Sequence, residues 1–218
     1  MPQQRFLQLA LNAQALRFGE FTLKSGRISP YFFNAGHFDT GAALAELAVC
    51  YADALDAAAL DFDLLFGPAY KGIPLATALA CEYAARGRNL PLAFNRKEAK
   101  SHGEGGMLLG APLRGRRVLI VDDVITAGTA IREALALITD AGGAVAGIAV
   151  ALDRQEIADE HDRRSATARV AEEAGAPVVS VANLDSLLAF AAGNPELERF
   201  REPLHSYRTR YGHSQANR

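Results

Sequence analysis

The sequence predicts an α/β fold in which helices flank a central, mainly parallel sheet, with a small hood formed by the N-terminal residues. Three observations predict it. Short apolar runs recur at 63–66, 118–121, 147–152 and 178–181. Helical patterns separate them at 75–85, 129–141 and 167–174. Several runs stop abruptly at turn or polar residues: Gly67-Pro68, Asp122-Asp123 and Asp153-Arg154. Apolar strands alternating with helices make βαβ units, whose sheet is buried on both faces. Ligands of such sheets bind at the strand C-terminal ends, near a switch in strand order.

Ahead of this pattern, 3–14 reads as a helix with Phe6, Leu7, Ala10 and Leu11 on one face. Residues 18–33 alternate around a Ser25-Gly26 turn and read as short antiparallel strands. An Ala/Leu-rich helix follows at 42–58. The whole chain of 218 residues is expected to form one domain, with the hood over 1–40, the core over 60–185 and a frayed polar tail over 205–218. A chain of this length buries about 70% of its extended surface, so it needs no staples.

Composition excludes several classes. Half the residues are hydrophobic and 22% are charged, which is ordinary globular usage. A formal net charge of −2 argues against broad nucleic-acid coating. Cys50 and Cys81 fit reduced thiols packed on helices better than a disulfide framework. Arg5 and Gln8 interrupt the first apolar run, and the uncharged run 141–152 is too short to span a bilayer. A cytoplasmic protein is expected, with no membrane or nucleic-acid partner.

The most informative segment is Val118-Leu119-Ile120-Val121-Asp122-Asp123-Val124-Ile125-Thr126-Ala127-Gly128-Thr129-Ala130. Two acids stand where a buried strand surfaces, and a helix with Ile131, Leu135 and Ile138 inward follows. A helix start has unpaired N–H groups and a positive dipole end, which together bind phosphate. Gly128 allows close backbone approach, and Thr126 and Thr129 add hydroxyl donors. Successive strand residues point to opposite faces, so Asp122 and Asp123 meet one ligand only if the strand ends there. Carboxylates repel phosphate, so they suit hydroxyls or a metal. A sugar phosphate satisfies both demands. The plain alternative is an acidic strand end before a capped helix.

This string resembles the 5-phosphoribosyl-1-pyrophosphate (PRPP) loop of the type I phosphoribosyltransferases. It contains no Gly-Lys-Ser/Thr, so it is not a Walker loop. Further segments are similar to the bacterial, orotate-using branch of that family: 21–27, Ser29-Pro30-Tyr31-Phe32-Phe33-Asn34, the turn 66–74, the polar stretch 95–105, and Leu152-Asp153-Arg154-Gln155-Glu156. The likeness runs in order from about Phe6 to Tyr211, leaving 212–218 as an extra tail.

The resemblance implies roles. Asp122 and Asp123 hold the ribose hydroxyls, and Val124, Ile125, Thr126, Ala127, Gly128, Thr129 and Ala130 line the 5′-phosphate. Lys24, Tyr70, Lys71, Arg96, Lys97, Lys100 and His102 complete the PRPP set. Catalysis falls to Lys100, His102 and the two aspartates. Orotate meets Phe32, Phe33, Thr126 and Arg154, the last forking onto its carboxylate. Magnesium is expected through PRPP, with no direct protein ligand. A homodimer sharing its lid residues is implied.

The residues also read physically. Lys71 sits in a Gly/Pro-bounded turn where an ammonium and backbone N–H groups hold pyrophosphate oxygens, though a solvated surface turn is the plain alternative. Residues 96–106 have no large apolar group to anchor a loop, so a mobile lid is expected. Residues 155–169 read as a solvated connection. Two rival readings use the same loop: a purine phosphoribosyltransferase, and a PRPP-sensing regulator without catalysis. The slightly acidic charge and the cationic lid oppose the second.

Overall fold

The computed structural model describes residues 2–23, 25–100, 106–157 and 163–212. Helix α1 (Pro2–Asn12) leads into strands β1 (Leu16–Thr22) and β2 (Ile28–Phe33), which pair antiparallel as a separate two-stranded sheet. Helix α2 (Gly41–Ala57) then enters the core, with Thr40 Oγ1 accepting the Ala43 N–H as its N-cap.

The main sheet has six strands: β3 (Leu64–Gly67), β4 (Leu92–Lys100), β5 (Gly106–Gly110), β6 (Arg117–Asp122), β7 (Ala144–Asp153) and β8 (Val178–Asn183). Their spatial order is β5-β4-β3-β6-β7-β8. All neighbours pair parallel except β5, which runs antiparallel at the edge. The chain moves outward from β3 to β4 and returns to β6, so the order reverses between β3 and β6. That is the switch point.

Both faces of the sheet are buried, which explains the unbroken apolar runs. Leu65, Leu119, Val121, Ala149 and Ala151 face a core shared with α1, α2, α3 (Gly72–Ala85) and α6 (Leu184–Ala192). Leu64, Phe66, Val118, Ile120, Ile148 and Val150 face the other way, onto α4 (Thr129–Asp140) and α5 (Ala166–Ala174). The last helix, α7 (Arg201–Tyr211), ties back to the hood through Tyr207 and Tyr31, whose rings meet edge to face at 6.1 Å.

Several expectations need correction. The stretch 95–105, predicted as loop, continues as strand to Lys100, because pairing with β5 satisfies the backbone even where side chains are polar. The tail predicted to fray from 205 is helical to Tyr211, since Leu204 and Tyr207 bury one side of α7. In the connection predicted as solvated, Gln155 and Ser165 are buried and α5 already begins at Ala166. Helix α6 was not foreseen; Asn183 and Ser186 form its capping box. Cys50 is buried in α2, whereas Cys81 is exposed rather than packed. No helix among the described residues is long and apolar enough to cross a membrane.

Candidate active site

The strand ends at the switch point supply the site. After β3 the chain turns through Gly67-Pro68-Ala69-Tyr70-Lys71-Gly72, pressed onto the end of β6. A Cβ on Gly67 would lie 2.5 Å from the Gly72 carbonyl oxygen, and one on Gly72 would lie 2.6 Å from the Val121 carbonyl oxygen. Glycine at both positions lets the turn pack that closely. The Ala69 N–H donates to Asn95 Oδ1 at 2.8 Å, which fastens the turn to β4. Tyr70 is left projecting, 71% exposed.

This packing carries Lys71 to the acids of β6. Its Nζ donates to Asp123 Oδ2 at 2.7 Å and to Asn34 Oδ1 at 3.3 Å. The strand ends at Asp122, as the acid pair requires, and both acids are buried. Asp122 Oδ1 accepts the Asp123 N–H at 2.9 Å, and the Tyr51 hydroxyl donates to the Asp122 carbonyl at 2.7 Å. Burial, reinforced by the Asp123 charge, pushes the Asp122 carboxyl up to about 7.

The loop beyond opens a cavity of about 280 Å³. Ile125 is buried and anchors the loop, leaving Thr126, Ala127 and Thr129 exposed. Gly128 precedes α4 at φ +76°, where a Cβ would stand 2.8 Å from Val170 Cγ2. No side chain caps α4, so its first-turn N–H groups are available to an anion. Val124 and Ala130 also line the cavity. Lys97 reaches its rim from β4 and lies 3.7 Å from Glu133 of α4. Arg96 keeps a buried Nη1 with no hydrogen-bond partner among the described residues. Lys100 is placed by its backbone, opposite Gly106. Lys24 and His102 lie outside the described residues.

The base end is less open. Phe33 is in the core against Phe6 and Phe38, whereas Phe32 sits on the opposite face of β2, near Phe21 and beneath Arg17. Arg154 follows β7 and pairs with Glu156. Burial works against its charge, but Tyr31 and Glu156 outweigh it and hold its pKa above the usual arginine value. Burial, with Glu156 adding to it, pushes Tyr207 up to about 12. The structure therefore brings Lys71, the aspartates, the 124–130 loop and Lys97 together. Sequence reasoning missed Asn34, Tyr51, Asn95, Glu156 and Tyr207 as partners; their signal is only contact across elements.

Buried acids on a strand end, an uncapped helix start and a lysine from the neighbouring turn suit a phosphorylated sugar. Residues 39–173 match the family described as Phosphoribosyl transferase domain, and the chain belongs to that family. The relatives narrow it. The chain is 78% identical over 208 residues to the orotate phosphoribosyltransferase of Xanthomonas euvesicatoria, covering 95% of each. It is 70% identical over 210 residues to that of Stenotrophomonas maltophilia, covering 96% of each. Among solved structures, the orotate phosphoribosyltransferase of Francisella tularensis matches with TM-score 0.86 and 43% identity, over 95% of this chain and 98% of that one. One from Mycobacterium tuberculosis, solved in complex with PRPP, matches with TM-score 0.63 and 26% identity, over 84% of this chain and 98% of that one. Within the phosphoribosyltransferases, the chain belongs with the orotate phosphoribosyltransferases.

Proposed function

We propose that this chain transfers the 5-phosphoribosyl group from PRPP to orotate, giving orotidine 5′-monophosphate and pyrophosphate, a step of pyrimidine nucleotide synthesis. The observation that carries the reading is the meeting of Lys71, Asp122, Asp123 and the uncapped start of α4 at one switch point. The 70–78% identical relatives of that name support it.

A ring nitrogen of orotate forms the new bond to the anomeric carbon while the bond to pyrophosphate breaks. The bonding pair leaves with pyrophosphate, and the ring N–H proton passes to water. Asp122 and Asp123 accept the ribose hydroxyls, and the 124–130 backbone with α4 seats the 5′-phosphate. A helix start contributes about 0.3–2 kcal/mol to an anion, so it orients the phosphate rather than holding it alone. Lys71 turns from Asp123 to the pyrophosphate, joined by Lys24, Tyr70 and the flap residues Arg96, Lys97, Lys100 and His102. These cations stabilise the charge that separates as the ribose gains oxocarbenium character, and flap closure keeps water from hydrolysing PRPP. Arg154 grips the orotate carboxylate, with Thr126 and the 32–33 segment beside the ring.

No three His, Cys, Asp or Glu side chains converge on a metal position among the described residues. Asp122 and Asp123 are the carboxylates that would face a magnesium ion brought in with PRPP, and two aspartates alone would not make a full set of ligands for it. When bound, it neutralises part of the leaving group's charge. We read the protein as a single-domain cytoplasmic homodimer whose flap residues are shared between protomers. Loss of orotate absorbance on mixing with PRPP and magnesium tests the reaction. Turnover of adenine or hypoxanthine instead would replace it with a purine-using reading, and PRPP uptake without turnover would favour a sensor.

A further inference from the structure

One carboxylate oxygen organises the base end of the site. Glu156 Oε1 accepts Arg154 Nε–H at 2.8 Å, and Arg154 Nη2 lies 2.7 Å from the same atom. The Tyr31 hydroxyl donates to it as well, at 3.3 Å. The Tyr31 ring lies under the guanidinium, 4.9 Å from its carbon, and Tyr207 of α7 backs that ring. Arg154 and Glu156 are each only 14% exposed at the side chain.

The backbone around them is pinned. Gln155 takes φ +49°, and its Oε1 accepts the Asp185 N–H at 3.0 Å. The Ile157 N–H donates to the Tyr211 carbonyl, and the Ile157 carbonyl accepts from Arg27 Nη1. The pair therefore sits on a clamped segment, with the hood on one side and α7 on the other.

A guanidinium is a rigid planar fork, so fixing one edge fixes the other. Glu156 occupies the Nε side, while the buried Nη2, though 2.7 Å from Glu156 Oε1, makes no well-aligned hydrogen bond among the described residues. Glu156 also cancels the arginine's charge at a distance. Without it, Arg154 would attract an anion from any direction rather than one lying in its plane. With it, what remains is short-range, directional hydrogen bonding, which favours a carboxylate lying in the guanidinium plane.

We propose that Glu156 is a positioning residue that sets base specificity: it locks Arg154 against Tyr31 so that the Nη edge of the guanidinium is presented in one orientation to the carboxylate of a planar base. This rests on the reading that Arg154 meets the orotate carboxylate.

The test is a double-mutant cycle on the full chain, with steady-state kinetics for orotate, uracil and PRPP. Glu156→Ala should raise KM for orotate about tenfold or more, leaving KM for PRPP within about twofold. Its preference for orotate over uracil, which lacks the carboxylate, should fall by a similar factor. Glu156→Gln keeps an acceptor for Arg154 and Tyr31 and should recover most of the orotate KM. In an Arg154→Ala background, Glu156→Ala should add little, because the two act as one unit. The inference is overturned if Arg154→Ala impairs orotate use while Glu156→Ala does not. Equal losses for orotate and PRPP, or a full Glu156→Ala effect on top of Arg154→Ala, also overturn it. If the parent enzyme ignores orotate and Arg154→Ala changes nothing, the proposed function falls, and this inference with it.

Discussion

Lys71 and Asp123, which follow different strands of the sheet, meet at 2.7 Å across the switch point. The carboxylate is buried and the lysine is half-exposed, so the ammonium is the partner free to move. Water screens the half-exposed ammonium and can take its place on Asp123, so the contact contributes about 1 kcal/mol or less. Lys71→Ala should shift Tm by no more than about 4 °C. It should raise KM for PRPP roughly 10- to 150-fold, the worth of a charge-assisted hydrogen bond. A melt far below this range with unchanged PRPP kinetics would make Lys71 a structural residue.

Asp122 predicts an unusual pH dependence. Its folded pKa, about 7, lies above its unfolded value of 3.8. Between those values the folded chain holds a proton that the unfolded chain has lost. This group's contribution to stability therefore falls as pH rises from about 4 to about 7, opposite to an ordinary ion-paired aspartate. Asp122→Asn should flatten that slope in denaturant titrations. Ribose hydroxyls favour the ionised form, so PRPP binding near pH 7 should release a proton. Calorimetry in two buffers of different ionisation enthalpy measures it; proton uptake would contradict the assignment.

Gly128→Ala tests the phosphate loop. The substitution combines a left-handed backbone with a contact 2.8 Å from Val170. It should cost about 1–3 kcal/mol of stability and weaken PRPP binding, because the loop must shift to admit the methyl group. A variant with the parent's melt and PRPP affinity would show that the loop does not depend on glycine there.

Lys100→Ala should lower kcat about 100-fold or more, as expected for removal of a group that stabilises developing charge. Its circular dichroism and melt should match the parent. Single-turnover rates separate chemistry from product release, and an unchanged rate removes Lys100 from the mechanism.

Much of this site is legible in the sequence because its residues are contiguous. The strand, the Asp122-Asp123 pair and the Gly128 turn occupy one uninterrupted string, and the structure keeps them together. The outer half of β4 is not legible, since Asn95 to Lys100 carries no alternation of apolar and polar residues. Its strand character comes from β5, a partner later in the chain. Helix α7 hides for a similar reason: only Leu204 and Tyr207 are buried in a polar background. The Glu156–Arg154–Tyr31 cluster joins residues more than a hundred positions apart, which no local pattern records.

The edge of the sheet has a mechanical consequence. Strand β3 stops at Gly67, opposite Phe94, so past that point β5 is the one strand paired with β4 among the described residues, and side-chain ties from Asn95 to Ala69 and from Lys97 to Glu133 are what else holds it. The hairpin is a cantilever bolted to the domain at one end. Beyond Asn95 and Leu108, which still touch the buried layers, the energy of opening is set mainly by the hairpin itself. Amide exchange should show this as two populations along a single strand: slow protons at 92–94 and fast ones beyond.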